Sequence, residues 1–177
     1  KLTNNQILGE IDLSISQAVI LAGGFGKRLG PVNANLPKPL VSVAGQPFIF
    51  HLFKQLKNEN FTEIIILAGY KSNIFVDLIK NYKETGIKIK VIEQPSNFDT
   101  GARIVHALSQ LNDNFLLLYG DNYCGIGIKK LIEAFNKKSK MLQLLAYEDL
   151  INFSRPNLDI DKNSDVTSYD TGRKNKN

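Results

Sequence analysis

The sequence predicts an α/β fold, a Rossmann-like three-layer sandwich with a mostly parallel central sheet. Three observations carry that prediction. Short apolar runs alternate along the chain with stripes at helical spacing. The runs Ala18-Val19-Ile20-Leu21-Ala22, Ile64-Ile65-Ile66-Leu67-Ala68 and Phe115-Leu116-Leu117-Leu118-Tyr119 are apolar without alternation, as strands covered on both faces are. The first run ends in Gly23-Gly24-Phe25-Gly26, which puts a glycine loop where open parallel sheets bind their ligands.

Residues 1–16 form a polar lead with scattered apolar positions, read as a linker or lead segment. The domain is expected over residues 17–170, with 171–177 a polar, frayed tail. After the first strand the glycine loop runs to Pro39, and Leu40-Val41-Ser42-Val43 reads as a short extended segment. Phe48, Ile49, Leu52, Phe53 and Leu56 recur as one face of a helix, and Ile74, Phe75, Leu78, Ile79 and Tyr82 repeat the spacing. Ile104, Val105, Leu108 and Leu111 make a third stripe, and Ile128, Leu131, Ile132 and Phe135 a fourth. Strands are expected between them at Ile64–Ala68, Ile87–Ile92, Phe115–Tyr119 and Met141–Leu145. Asn157–Ile160 and Asp165–Tyr169 read as a hairpin around a Lys162-Asn163-Ser164 turn. His51 and His106 fall inside helices, far in sequence from the motif loops, and take no catalytic role.

A chain of 177 residues is long enough to bury a substantial core. No apolar run approaches the ~20 residues of a membrane span, so no membrane partner is expected. Cys124 is the single cysteine, which rules out an internal disulfide framework and fits a reducing, cytoplasmic setting. The net charge of +5 is unevenly spread: no Asp or Glu lies between Leu13 and Asn58, while Lys27, Arg28, Lys38, Lys54 and Lys57 do. A positive amino-terminal third favours a polyanionic ligand. Those cations do not line one helix face and are not interleaved with aromatics, so no nucleic-acid partner is expected.

The glycine loop fits neither common phosphate motif. A Walker loop requires a hydroxyl residue after its lysine, and Lys27 is followed by Arg28. A dinucleotide fingerprint read from Gly24 meets Leu29 at its third glycine position. Closely approachable backbone at Leu21, Ala22, Gly23, Gly24 and Gly26, with Lys27, Arg28 and Lys38 beside it, suits a polyphosphate. At a second strand end, Leu118-Tyr119-Gly120-Asp121-Asn122 places a carboxylate on the same sheet edge, where Asp121 is a candidate ligand for Mg²⁺.

Together, L-x-G-G-x-G-x-R-L over Leu21–Leu29, Pro37-Lys38-Pro39 and the Gly120-Asp121 pair resemble the nucleotidyltransferases that make nucleotide sugars. The likeness covers roughly residues 17 to 170 and includes the Gly69-Tyr70 pair. It implies the nucleotide-diphospho-sugar transferase type of fold. It also implies a nucleoside triphosphate and a sugar 1-phosphate as substrates, and a Mg²⁺ ion held by Asp121. Val43-Ala44-Gly45-Gln46-Pro47-Phe48 points within the family to the branch using GTP with heptose or hexose 1-phosphates. The alternatives are a thymidylyl- or uridylyltransferase for glucose 1-phosphate, or a non-catalytic nucleotide- or sugar-phosphate-binding fragment.

The resemblance assigns Arg28 to the leaving β- and γ-phosphates, Lys38 to the α-phosphate and incoming phosphate, and Asp121 to the metal. These three are the catalytic candidates. The backbone from Leu21 to Gly24, with Gly26, Lys27 and Gly120, is expected around the nucleotide. Glu93-Gln94-Pro95-Ser96-Asn97-Phe98-Asp99-Thr100-Gly101-Ala102 resembles the segment that holds base and ribose. Gln94 is expected to meet a base edge, and backbone at Gly101 to approach the ring. The segment departs from the family pattern at Phe98, Asp99 and Ala102. No match is found for the family's second metal-binding aspartate; Asp159, Asp161, Asp165 and Asp170 fall in the hairpin region. A carboxyl-terminally truncated domain is therefore expected, and a homo-oligomer is left open.

Overall fold

The computed structural model describes residues 15–24, 36–83, 86–138, 140–148 and 157–170. Among the expected site residues, Gly26, Lys27 and Arg28 lie outside the described residues, as do residues 1–14 of the lead and the tail. Two compact units divide the chain, Lys1–Ile132 and Glu133–Asn177.

The first unit is built on a parallel sheet. Strand β1 (Gln17–Ala22) pairs with β4 (Glu63–Ala68) on one side and β6 (Leu116–Tyr119) on the other, and β4 pairs with β5 (Lys88–Glu93). The spatial order is β5-β4-β1-β6. All six residues of β1 are buried because the strand is central and covered on both faces. Alternation sorts its side chains: Ala18, Ile20 and Ala22 join one core, Val19 and Leu21 the other.

Helices α1 (Phe48–Asn58) and α2 (Ser72–Asn81) cover the first face, and α3 (Thr100–Ala107) the second. That split follows from chain order. The connections β1→β4 and β4→β5 step outward in one direction, whereas β5→β6 steps back across the sheet. Right-handed crossovers then require the returning helix on the opposite face. The first turns of α4 (Ile128–Lys138) bring Ile128, Leu131 and Ile132 onto the α1 side.

The helix ends have local causes. Helix α1 stops in a Schellman arrangement: Asn60 is left-handed, its N–H donates to the Lys57 carbonyl, and the Phe61 N–H donates to the Leu56 carbonyl. Buried Phe61 then leads straight into β4. Helix α3 begins at Asp99, whose side chain accepts the Ala102 N–H at 2.8 Å. Tyr82 packs on Phe50 and Phe53, with ring centroids 4.7 and 5.3 Å apart, and holds the end of α2 to α1. At the amino edge of the sheet, buried Gln17 donates to Glu63 and the Gln110 carbonyl and accepts the Asn112 N–H.

Three expectations are corrected. The segment Leu40–Val43 is a 3-10 turn at Lys38–Leu40 followed by β2 (Ser42–Val43), which pairs antiparallel with β3 (Gln46–Pro47). On α3 and the 3-10 turn Leu108–Gln110 that follows it, Val105 and Leu108 are exposed, and the buried residues are Arg103 and Ala107. A stripe drawn from apolar residues alone caught Leu111 but missed Arg103 and Ala107, which lie with it on the true inner face at i, i+4, i+8.

The third correction falls in the second unit, where Met141–Leu145 carries no regular structure. No strand among the described residues pairs with it, and Met141, Leu142, Leu144 and Leu145 are exposed. High β-propensity makes a strand only where a neighbour supplies the ladder. The unit's hairpin is as read, β7 (Leu158–Ile160) against β8 (Val166–Tyr169), with Ser164 left-handed in the turn.

Candidate functional site

The carboxyl ends of β1 and β6 lie side by side, at the point where the chain's stepping direction across the sheet reverses. Such a switch point leaves a crevice between the loops that leave neighbouring strands. A cleft of about 630 Å³ occupies it, lined by the β1 end (Leu21–Gly24), by Lys38 and Pro39, by the loop after β5 and by Tyr119 and Asp121. Sequence-expected Leu21, Ala22, Gly23, Gly24, Lys38 and Asp121 are therefore brought together around one opening.

Lys38 and Asp121 form an ion pair at 2.5 Å across the mouth of this cleft, although 83 residues separate them. Each partner gets there by a backbone device. Lys38 opens the 3-10 turn whose next residue, Pro39, is buried. Asp121 follows Gly120, whose N–H continues the ladder to the Leu21 carbonyl at 2.9 Å. Gly120 is a close-approach glycine: a Cβ there would sit 2.8 Å from Pro39 Cγ and 3.0 Å from the Leu21 carbonyl oxygen. It brings the ends of β1, β6 and the Pro-Lys-Pro turn within contact of one another.

Gln94 and Gly101 do not line the cleft. The Gln94 amide is buried and turned to α3, donating to the Arg103 carbonyl at 2.8 Å and accepting from Arg103 Nη1 at 3.3 Å. Gly101 lies exposed in the first turn of α3.

Sequence reasoning missed Arg103. It is 4% exposed and lines the floor of the cleft. Its Nη2 donates at 3.3 Å to the carbonyls of Gly23, Pro95 and Ser96, oxygens on the loops after β1 and β5. Burial lowers its pKa from the ordinary arginine value, and the charge of Asp99 works in the opposite direction. Space for the guanidinium exists because residues 23 and 69 have no side chains. A Cβ on Gly23 would fall 1.9 Å from Arg103 Cζ, and one on Gly69 2.6 Å from Nη2. One signal pointed to it: a cation four residues before the helix's small Ala107, in the register of the inner face.

Residues 17–150 match the family described as nucleotidyl transferase. The chain belongs to the nucleotidyl transferase family. It is 30% identical over 143 residues to a D-glycero-alpha-D-manno-heptose 1-phosphate guanylyltransferase of Campylobacter jejuni, covering 81% of this chain and 63% of that protein. A mannose-1-phosphate guanyltransferase of Aspergillus oryzae is 32% identical over 126 residues, covering 69% of this chain and 34% of that one. The chain thus spans less than two thirds of the length of these relatives. Among solved structures, HddC from Yersinia pseudotuberculosis complexed with GMP-PN superposes with a TM-score of 0.63 at 32% identity, over 68% of this chain and 54% of that one. The fold is that of nucleotide-diphospho-sugar transferases, with the parallel sheet of four strands as its centre.

The donors at the cleft mouth fit a magnesium ion held in part by phosphate oxygens. Magnesium is commonly held by one or two carboxylates together with phosphate oxygens. Asp121 supplies one carboxylate at the rim, about one third exposed. Among the described residues no cluster of three or more His, Cys, Asp or Glu forms a closed metal cage. Among them, too, no helix is long and apolar enough to cross a membrane.

Proposed function

We propose that this chain carries the nucleotide site of a sugar-1-phosphate nucleotidyltransferase, with GTP as the nucleoside triphosphate and a heptose or hexose 1-phosphate as acceptor. The observation that carries the reading is the cleft at the sheet's switch point, where glycine backbone, Lys38 and Asp121 converge. The choice of GTP draws support from the guanylyltransferase names of the relatives and from the GMP-PN complex of HddC.

In the reaction, a phosphate oxygen of the sugar 1-phosphate attacks the α-phosphorus in line. A new P–O bond forms as the α–β bridging bond breaks, and pyrophosphate leaves. No side-chain nucleophile is needed. The chain's task is to bring two polyanions together and hold them aligned. Lys38 would leave Asp121 for the α-phosphate and the incoming phosphate, moving a positive charge onto the reacting centre. Arg28 is proposed for the leaving phosphates. The β1 end from Leu21 to Gly24 would receive base and ribose, with Gly26 and Lys27 completing the loop. Gly120 holds the Lys38–Leu40 turn and the β6 end, the two places where Lys38 and Asp121 stand, against β1. Gln94 and Gly101 would contribute from behind, through the loop and helix start that border the cleft. Asp121 would hold Mg²⁺, which when bound supplies charge neutralisation on the phosphates.

The test is pyrophosphate release with Mg²⁺ over a grid of GTP, dTTP, UTP and CTP against heptose, mannose and glucose 1-phosphates, with nucleotide binding measured beside it. Turnover is expected with GTP. Turnover confined to dTTP or UTP with glucose 1-phosphate would replace the base and sugar assignment. Nucleotide binding without release would make this a binding segment, and no binding at all would overturn the reading.

A further inference from the structure

The buried guanidinium beneath the cleft has no place in the reaction just described. Arg103 is 4% exposed, so it offers little surface to a ligand. Its hydrogen bonds among the described residues all go to neutral oxygens: the side-chain carbonyl of Gln94 and the backbone carbonyls of Gly23, Pro95 and Ser96. A buried charge held only by carbonyl oxygens is an expensive arrangement. The chain also keeps two glycines, Gly23 and Gly69, whose Cβ atoms would collide with this side chain.

The consequence lies on the other side of each peptide plane. In a trans peptide the C=O of one residue and the N–H of the next point in opposite directions. Among the described residues no peptide is cis. Drawing the carbonyls of Gly23, Pro95 and Ser96 toward one guanidinium therefore turns the N–H groups of Gly24, Ser96 and Asn97 away from it. All three of those residues line the cleft. Among the described residues none of those N–H groups has an acceptor. Other donors share the load, since the Gly23 carbonyl also accepts the Tyr70 N–H at 3.4 Å and the Pro95 carbonyl the Phe98 N–H at 3.2 Å. Among the described residues only Arg103 hydrogen-bonds both the β1 loop and the β5 loop, and its planar fork suits a task that a flexible ammonium performs poorly.

We propose that Arg103 is a positioning residue for nucleotide recognition: by gathering three carbonyls it presents the Gly24, Ser96 and Asn97 N–H groups to acceptor atoms of the bound nucleotide. Gln94 is its brace, fixing both the guanidinium and the α3 backbone beneath it. The proposal rests on the cleft's being the nucleotide site.

The experiment measures nucleoside triphosphate affinity by calorimetry, well below the melting transition, for the wild type, Arg103→Met, Arg103→Ala and Gly69→Ala. Three misdirected N–H groups should weaken binding about 10- to 100-fold in Arg103→Met. Low concentrations of guanidinium should restore part of the affinity of Arg103→Ala, while an equal ionic strength of sodium chloride should not. Gly69→Ala keeps the arginine but places a methyl 2.6 Å from Nη2, so it should weaken binding several-fold. Should the Arg103 variants fail to fold, Gly69→Ala alone decides. A folded variant with a lowered melting temperature and wild-type affinity would make Arg103 structural only and overturn the proposal. Lost affinity that guanidinium cannot restore would do the same. Failure of the wild type to bind any nucleotide would overturn the functional reading itself.

Discussion

Gly120→Ala tests whether the site is assembled by contact between strand ends. The added Cβ would lie 2.8 Å from Pro39 Cγ, 3.0 Å from the Leu21 carbonyl oxygen and 3.3 Å from Ile20 Cγ2. Comfortable separations are near 3.5 Å or more, so β6 and the Pro39 turn must part from β1 by about 0.5 Å. Forced overpacking of this kind costs about 1–3 kcal/mol. The same shift strains the hydrogen bond from the Gly120 N–H to the Leu21 carbonyl, 2.9 Å long, adding about 1 kcal/mol. A loss of about 2–4 kcal/mol lowers the melting temperature of a protein this size by about 5–15 °C. Lys38 and Asp121 are the direct neighbours of the two displaced groups, so affinity for magnesium-bound nucleotide should fall in parallel. The assay is thermal unfolding with nucleotide calorimetry, and Gly24→Ala is the comparison. A Cβ on Gly24 meets no described atom within 4 Å, so that variant should keep wild-type stability. Equal melting temperatures for Gly120→Ala and the wild type would refute the close-approach argument. Equal losses in the two variants would refute the distinction between the glycines.

Asp121→Asn should reduce magnesium-dependent pyrophosphate release roughly 10²- to 10³-fold. Its melting temperature should barely move, because a rim ion pair of this exposure contributes about 1 kcal/mol or less; unchanged turnover would take Asp121 out of the mechanism. At the opposite edge of the sheet, the bond to Lys88, then that to Gln17, hold the Glu63 carboxyl below its usual pKa. A lowered carboxylate pKa contributes stability that is present above the unfolded value and is lost as the pH falls through the folded one. Glu63→Gln should therefore cost about 0.5 kcal/mol at neutral pH, since Lys88 is mostly solvent-exposed. Urea unfolding across an acid titration should show that gap closing as the pH drops below the carboxylate range. A gap that widens on acidification would reverse the assignment.

Most of the fold was legible because its determinants are local. The runs at 18–22, 64–68 and 115–119 are apolar without interruption, and the stripe from Phe48 to Leu56 matches α1. Each pattern follows from the element's own period and needs no knowledge of partners. The joint presence of Lys38 and Asp121 at one opening was legible for a related reason. Residues that follow parallel strands gather on one edge, whatever the distance between them along the chain. What escaped depended on partners. Met141–Leu145 has the composition of a strand but finds no ladder among the described residues. Gln94 reads as a ligand-facing amide only until α3 is placed against it.

Arg103 escaped because it inverts the rule used to find a helix's inner face. The apolar count selected Ile104, Val105, Leu108 and Leu111, yet Val105 and Leu108 are exposed while a cation is buried. The inversion is affordable only where several carbonyl oxygens converge, and the loops leaving the carboxyl ends of parallel strands supply them. It also changes the meaning of the glycine motif. Gly23 follows an apolar strand and reads as backbone kept bare for a ligand, yet its missing side chain makes room for Arg103. Gly120 is kept bare for Pro39 and Leu21, and among these three only Gly24 faces space free of described atoms. In this chain the glycines do two jobs: two let the protein close on itself beneath the cleft, and the third leaves the cleft open above.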